Sequence, residues 1–259
     1  MLRFCSLGSG SSGNATLVEA SSGTTASRVL VDCGFTQREL HARLARAALT
    51  ITDINAIFVT HEHGDHVGCT VALSKRHRIP IWMSRGTWRA VGEPELPDLL
   101  HFARDGESIV VGDLELSPYT VPHDAQEPLQ ACFSDGASRL GMLTDAGSIT
   151  EHLIEQLQRC NALLLECNHD REMLATSRYP WSLKQRIGGR YGHLSNDTAA
   201  EILGSCIHGG LRHVVAAHLS RENNSPELAL ASLAAAVGGN MRDMRAAGAE
   251  WGFDWIELR

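Results

Sequence analysis

Short apolar runs alternate with polar or glycine-containing breaks along the whole chain. Residues 2–7, 15–19 and 28–32 read as strands, with the turn Gly8-Ser9-Gly10-Ser11-Ser12-Gly13-Asn14 after the first. Residues 36–48 read as a helix, because Leu40 and Leu44 stand four apart on one face. The run 54–59 (Ile54, Ala56, Ile57, Phe58, Val59) is short, apolar and partly β-branched, so it reads as a buried strand. A helix over 67–76, a strand over 80–83, a helix over 85–91 and a connector over 93–98 follow. Strands are then expected over 99–102, 108–111, 114–120, 129–134 and 139–143. The second half holds helices over 149–158, 171–175, 181–187, 196–207 and 227–236, and strands over 162–166, 214–217 and 253–258. Ser195 or Asn196 is available to cap the helix at 196, and Ser225-Pro226 opens the one after it. Each half passes from strands into α/β alternation, so the fold class is α/β. No long linker or repeat divides the chain, and residues 1–259 are expected to form one domain.

The strand at 54–59 runs directly into Thr60-His61-Glu62-His63-Gly64-Asp65-His66. Imidazole and carboxylate are ligands that suit zinc, manganese or iron, and Gly64 lets the loop turn tightly. A solvated histidine-rich loop is the alternative, but the context of a buried strand favours a metal. Glu62, between two candidate ligands, is expected to point outward. Three further candidates stand at strand ends: His123 after 114–120, Asp145 after 139–143 and His218 after 214–217. Alone, each is an ordinary structural residue; together they occupy the strand edges where α/β folds gather their chemistry. Asp32 and Glu166 also end strands, and orienting ligand imidazoles or plain capping would both suit them.

Composition narrows the setting. Hydrophobic residues at 43% and charged residues at 20% are ordinary for a globular protein. A net charge of -7 argues against a nucleic-acid coat protein while leaving room for a local basic groove. No run approaches a membrane span, and the first residues do not read as a signal peptide. Seven scattered cysteines without C-x-x-C suit a reduced, cytoplasmic protein.

The H-x-H-x-D-H at 61–66, with His123, Asp145 and His218 in order behind it, resembles the metallo-β-lactamase superfamily. The resemblance covers nearly the whole chain and implies a four-layer αββα sandwich with two divalent ions (Zn, Mn or Fe). It implies that His61, His63 and His123 hold one ion, that Asp65, His66 and His218 hold the other, and that Asp145 bridges them. Two such ions roughly 3.5–4 Å apart stabilise attacking and leaving oxygens in a displacement. His193, in Gly192-His193-Leu194-Ser195-Asn196, is similar to a non-ligand histidine of nuclease members, which implies a general acid; a helix-start histidine without chemistry is the alternative. His193 and Asp65 are the candidate catalytic side chains.

The stretch 176–196 carries Arg178, Lys184, Arg186 and Arg190, no acid, and interleaved Tyr179, Trp181 and Tyr191. Cations with aromatics suit a frayed nucleic-acid end, although an exposed positive helix would look the same. In the loop 8–14, backbone N–H groups with Ser11 and Asn14 could cradle a phosphate, or the loop could be a plain hairpin turn; it leads into a strand and so is no P-loop. The loops 8–14, 123–128, 166–170, 192–196 and 218–224 together resemble the YycJ/WalJ-like branch, which implies 5′→3′ exonuclease activity on DNA ends. Only residues 146–217 separate Asp145 from His218, so no inserted clamp domain is expected. Hydrolysis of a small ester, thioester or lactam on the same metals, a di-iron redox protein and a non-catalytic regulatory protein are the alternatives. The absence of a fused flavin domain counts against the redox reading.

Overall fold

The fold follows from the alternation of the strands. The computed structural model describes residues 1–238 and 243–258. In chain order, β1 (Leu2–Gly8), β2 (Ala15–Ser21), β3 (Ala26–Val31), β4 (Ala56–Phe58), β5 (Ile81–Met83) and β6 (Leu100–Phe102) build one sheet. The second holds β7 (Ile109–Val111), β8 (Leu114–Thr120), β9 (Leu129–Ser134), β10 (Arg139–Leu143), β11 (Ala162–Glu166), β12 (His213–Ala217) and β13 (Asp243–Ala246). β14 (Phe253–Leu258) returns to pair antiparallel with β1. Side chains two apart share a face. In β4, Ala56 and Phe58 enter the core between the sheets while Ile57 faces helices; in β11, Ala162 and Leu164 enter it while Leu163 and Leu165 face helices on the far side.

Both sheets change character midway. The first is antiparallel through β1, β2 and β3 and parallel from β3 to β6. The second is antiparallel from β7 to β10 and parallel from β10 to β13. Parallel neighbours need crossovers, which helices supply while covering the outer faces. These are α1 (Gln37–Arg46), α2 (Gly64–Val67), α3 (Thr70–His77), α4 (Arg85–Ala90), α5 (Glu151–Leu157), α6 (Arg171–Thr176), α7 (Trp181–Ile187), α8 (Asn196–Cys206) and α9 (Pro226–Ala236). Leu40, Leu44 and Leu73 pack on Leu17, Leu30 and Ile57 of the first sheet. Leu153, Ile202, Leu203 and Leu233 pack on Leu163, Leu165 and Val214 of the second. The layers are α, β, β, α, as the resemblance implies.

The helix expected over 67–76 is two helices. α2 starts at Gly64, inside the histidine cluster, and ends at Gly68, whose φ of +31° breaks the path before α3. A Cβ on Gly68 would lie 2.2 Å from the Cys33 carbonyl, so only glycine allows this approach. β13 is absent from the pattern reading because Asp243-Met244-Arg245-Ala246 is half-buried throughout and has no apolar run. Of the two cap candidates, Ser195 is used, accepting from Thr198 N. Among the described residues no helix is long and apolar enough to cross a membrane.

Phe58 is fully buried between the sheets, two residues before the metal-type cluster. Phe58→Ala should cost about 4 kcal/mol in urea unfolding; a loss below about 1 kcal/mol would contradict this packing.

Candidate metal centre and its surroundings

The strand ends from both sheets meet at one edge. Asp32 follows β3, residues 61–66 follow β4, His123 follows β8, Asp145 follows β10, Glu166 ends β11 and His218 follows β12. All seven predicted ligands come together there. His63 Nδ1 lies 3.0 Å from His61 Nε2 and 3.3 Å from His123 Nε2. Beside this group, Asp65 Oδ2 lies 3.4 Å from His218 Nε2 and 3.7 Å from His66 Nε2. Asp145 stands between them, with Oδ2 3.0 Å from His66 Nε2 and Oδ1 3.8 Å from His123 Nε2. His61, His63 and His123 form one set able to hold an ion, and Asp65, His66 and His218 another.

The outward nitrogen of each imidazole faces an oxygen. His123 Nδ1 donates to Gly192 O at 2.9 Å and His63 Nε2 to Asp124 O at 3.2 Å. Thr60 Oγ1 donates to Asp32, so it accepts from His61 Nδ1 at 3.0 Å. His66 Nδ1 donates to Asp32 Oδ2 at 2.8 Å, and His218 Nδ1 faces Glu166 Oε1 at 3.4 Å. These partners set the tautomers, and the inner nitrogens turn lone pairs toward common points. Converging lone pairs cannot satisfy one another; a cation satisfies them together. Asp145 Oδ2 makes the same case, being buried without a directed hydrogen bond. The donor set is imidazole and carboxylate without thiolate, which fits zinc, manganese or iron.

The electrostatics agree. Burial pushes Asp145 up, but His218 and His66 outweigh it and hold the carboxyl well below its usual range. Burial pulls His66 down, and Asp145 with Asp32 more than offsets this. His218 is likewise lifted to about 10 against burial by Asp145, with hydrogen bonds to Asp65 and Glu166. The edge thus draws positive charge, which divalent cations supply.

Several polar groups that brace this edge were not evident as such in the sequence. Ser9 Oγ accepts from His218 N at 2.8 Å, and Asn168 Nδ2 donates to His218 O at 3.0 Å. They hold His218 at a φ of +54°, and Asp32 also sits in the left-handed region at +59°. Asn14, expected to meet substrate, turns inward instead. Its amide lies 3.3 Å from the Asp65 carboxylate and 3.1 Å from His66 Nε2, and its Oδ1 accepts from Gly10 N. Glu62 does not point into solvent but accepts from Gln126 N at 2.7 Å. The signal for these residues was only their place beside buried strand ends.

The expected substrate contacts have mixed placements. Arg186 Nε is bound to Asp124 at 2.6 Å, so much of its charge is spent on the loop that holds His63. Lys184 Nζ donates to Ala175 O at 2.7 Å, and Arg190 lies over the Tyr191 ring at 5.7 Å. Arg178 and Ser11 are exposed. His193 sits against the cluster, with Nδ1 2.7 Å from Glu166 Oε1 and 3.4 Å from Asp145 Oδ1. Burial pulls its pKa down, and Glu166 with Asp145 raises it beyond that. Its ring also lines a cavity of about 570 Å³.

Gly34 sets how closely β3 and the cluster approach. A Cβ there would lie 1.8 Å from the Asp65 carbonyl. Gly34→Ala should weaken divalent-metal binding about tenfold or more in equilibrium dialysis. Unchanged affinity would show that the loop does not depend on this contact.

Residues 27–218 match the family model described as beta-lactamase superfamily domain. The chain is 36% identical to exodeoxyribonuclease YycJ of Bacillus anthracis over 90% of its length and 88% of that protein. It is 31% identical to exodeoxyribonuclease WalJ of Streptococcus pneumoniae, over 88% of its length and 85% of that protein. The solved metallo-beta-lactamase fold protein YhfI from Bacillus subtilis superposes with a TM-score of 0.74 at 15% identity, covering 98% of each chain. The chain belongs to the beta-lactamase superfamily and is a metal-dependent hydrolase of that family.

Proposed function

We propose that the hydrolase is a DNA exonuclease that works inward from 5′ ends, as one domain without a clamp, with His193 as general acid. The observation that carries this reading is the position of His193, wedged between the ligand cluster and the cavity. The names of the 36% and 31% identical relatives support DNA as substrate. That residues 146–217 hold α5 to α8 with β11 and β12 supports one domain without a clamp. Seven free cysteines suit a reducing cytoplasm.

Two divalent ions, at His61, His63 and His123 and at Asp65, His66 and His218 with Asp145 between, would polarise the phosphoryl oxygen and acidify the attacking water. His193 Nδ1 donates to Glu166, and in the imidazolium form that Glu166 and Asp145 favour, Nε2 carries a second proton, the one delivered to the leaving oxygen. Glu166 stays ionised because His193 and His218 outweigh the effect of its burial. Asp65, steadied by the Asn14 amide, is the carboxylate that takes the proton of the attacking water.

A general acid matters most when the leaving group is basic. With metal-loaded protein, His193→Ala should slow hydrolysis of 5′-phosphorylated duplex DNA by about 10²–10⁴-fold. Bis-p-nitrophenyl phosphate, whose leaving group needs no proton, should suffer far less. Equal losses on both substrates would remove the general-acid role, and cleavage of thioesters or lactams alone would remove the nuclease reading.

A further inference from the structure

The cavity beyond His193 has a chemistry of its own. His169, Arg171, Lys184, Ser195, Thr198 and Trp181 contribute to its wall, and no acidic side chain among the described residues does. That is unusual in a chain with 30 acidic and 23 basic residues. Arg171 is steered by donating from Nε to Ser195 Oγ at 3.1 Å and from Nη2 to Thr198 Oγ1 at 3.2 Å. Its ion pair with Asp197, at 3.3 Å, joins two side chains that are each 66% exposed, so solvent screens it. Lys184 has no carboxylate partner among the described residues, since its ammonium donates to a main-chain carbonyl. The cavity also lies at the start of α8, where the helix dipole adds positive potential.

His169 is the second, independent sign. It is 3% exposed, and its Nδ1 is buried with no hydrogen-bond partner. Burial pulls its pKa down to about 4, so the ring is neutral near pH 7. A neutral imidazole carries one N–H, and a proton on Nε2 would leave the lone pair on the unpartnered Nδ1. A backbone bridge sets His169 alongside Ser195, whose hydroxyl steers Arg171, and both residues line the cavity. A neutral donor, a steered guanidinium, an ammonium and the one hydroxyl proton that the Ser195–Thr198 pair leaves over make a set suited to a phosphate. A volume of about 570 Å³ admits a nucleotide but not a duplex.

Resting on the exonuclease reading, we infer that this cavity seats the terminal nucleotide of a DNA 5′ end. Its 5′-phosphate lies against Arg171 and Lys184, and its base against the exposed Trp181. The chemistry and the size of the cavity together set the direction. Hydrolysis joins the water oxygen to phosphorus and breaks the phosphorus–O3′ bond, and the proton from His193 goes to O3′. The nucleotide beside His193 therefore keeps that O3′, and because the cavity admits one nucleotide on this side, it is the 5′-terminal one. It departs as a nucleoside 5′-monophosphate, and the shortened strand carries a new 5′-phosphate. Every cycle thus creates the group that the cavity binds next.

The test compares one duplex with 5′-phosphate and with 5′-hydroxyl ends, using the metal-loaded full chain. The phosphorylated end should be degraded with at least about tenfold higher kcat/KM. Arg171→Ala and Lys184→Ala should each shrink that ratio to below about threefold, chiefly through KM. A deoxynucleoside 5′-monophosphate should inhibit the unaltered protein competitively, with its inhibition constant raised about tenfold in Arg171→Ala. The exposure of Arg171 leaves the fold intact, and unfolding curves check this. DNA degradation with equal rates for the two ends, or a ratio untouched by Arg171→Ala, would overturn the cavity assignment while leaving the exonuclease standing. No degradation of any DNA, with bis-p-nitrophenyl phosphate still cleaved, would overturn the exonuclease reading and this inference with it.

Discussion

Keeping Asp145 ionised where water barely reaches is the constraint on which the rest depends. The residue is 1% exposed, and one of its oxygens has no directed hydrogen bond. A charge so placed is tolerable only with opposite charge in contact. The divalent ions that the neighbouring imidazoles hold would provide it, and of those imidazoles His66 and His218 are in turn held by Asp32 and Glu166. No single sheet could supply this ring of partners. Asp32 and His66 come from the first sheet and Asp145, Glu166 and His218 from the second, so the sandwich must bring its two edges into register. The antiparallel-to-parallel switch in each sheet gathers those strand ends at one place.

The candidate ligands could be picked out from the sequence because they stand just after predicted strands. Ile54 to Val59 announce a buried strand, and the polar residues that follow have one place to go. The layer order was legible for the same reason, since alternation in β4 and β11 assigns each side chain to a face. What could not be read depends on approach between distant segments. Asn14 turns inward because Asp65, far along the chain, arrives beside it. The helix after the cluster breaks because the Cys33 carbonyl lies where a Cβ of residue 68 would be. β13 exists because β12 offers it an edge, not because its own residues favour a strand.

The basic stretch shows how a composition signal divides once folded. Arg186 serves the centre indirectly, through Asp124 and the loop that carries His63. Lys184 lines the cavity beside His193, and Arg171, which precedes the stretch in sequence, joins it there. The link is the bridge between His169 and Ser195, which brings the start of α6 against the start of α8. Lining the cavity and supporting the metal-type cluster are therefore neighbouring duties of this part of the chain. The Gly/Ser loop behaves alike: Ser9 holds the His218 backbone while Ser12 accepts from Arg221 at the surface.

The central claim is a two-ion centre that the two histidine-rich sets would hold together with Asp145. Divalent-metal content per chain, measured by atomic emission after removal of loosely bound ions, tests it most directly. The account predicts about two equivalents in the unaltered protein and one or fewer in Asp145→Ala, with phosphodiester hydrolysis lost on chelation and regained on adding metal. Undiminished hydrolysis after exhaustive chelation, or an Asp145→Ala protein that keeps both ions, would contradict it.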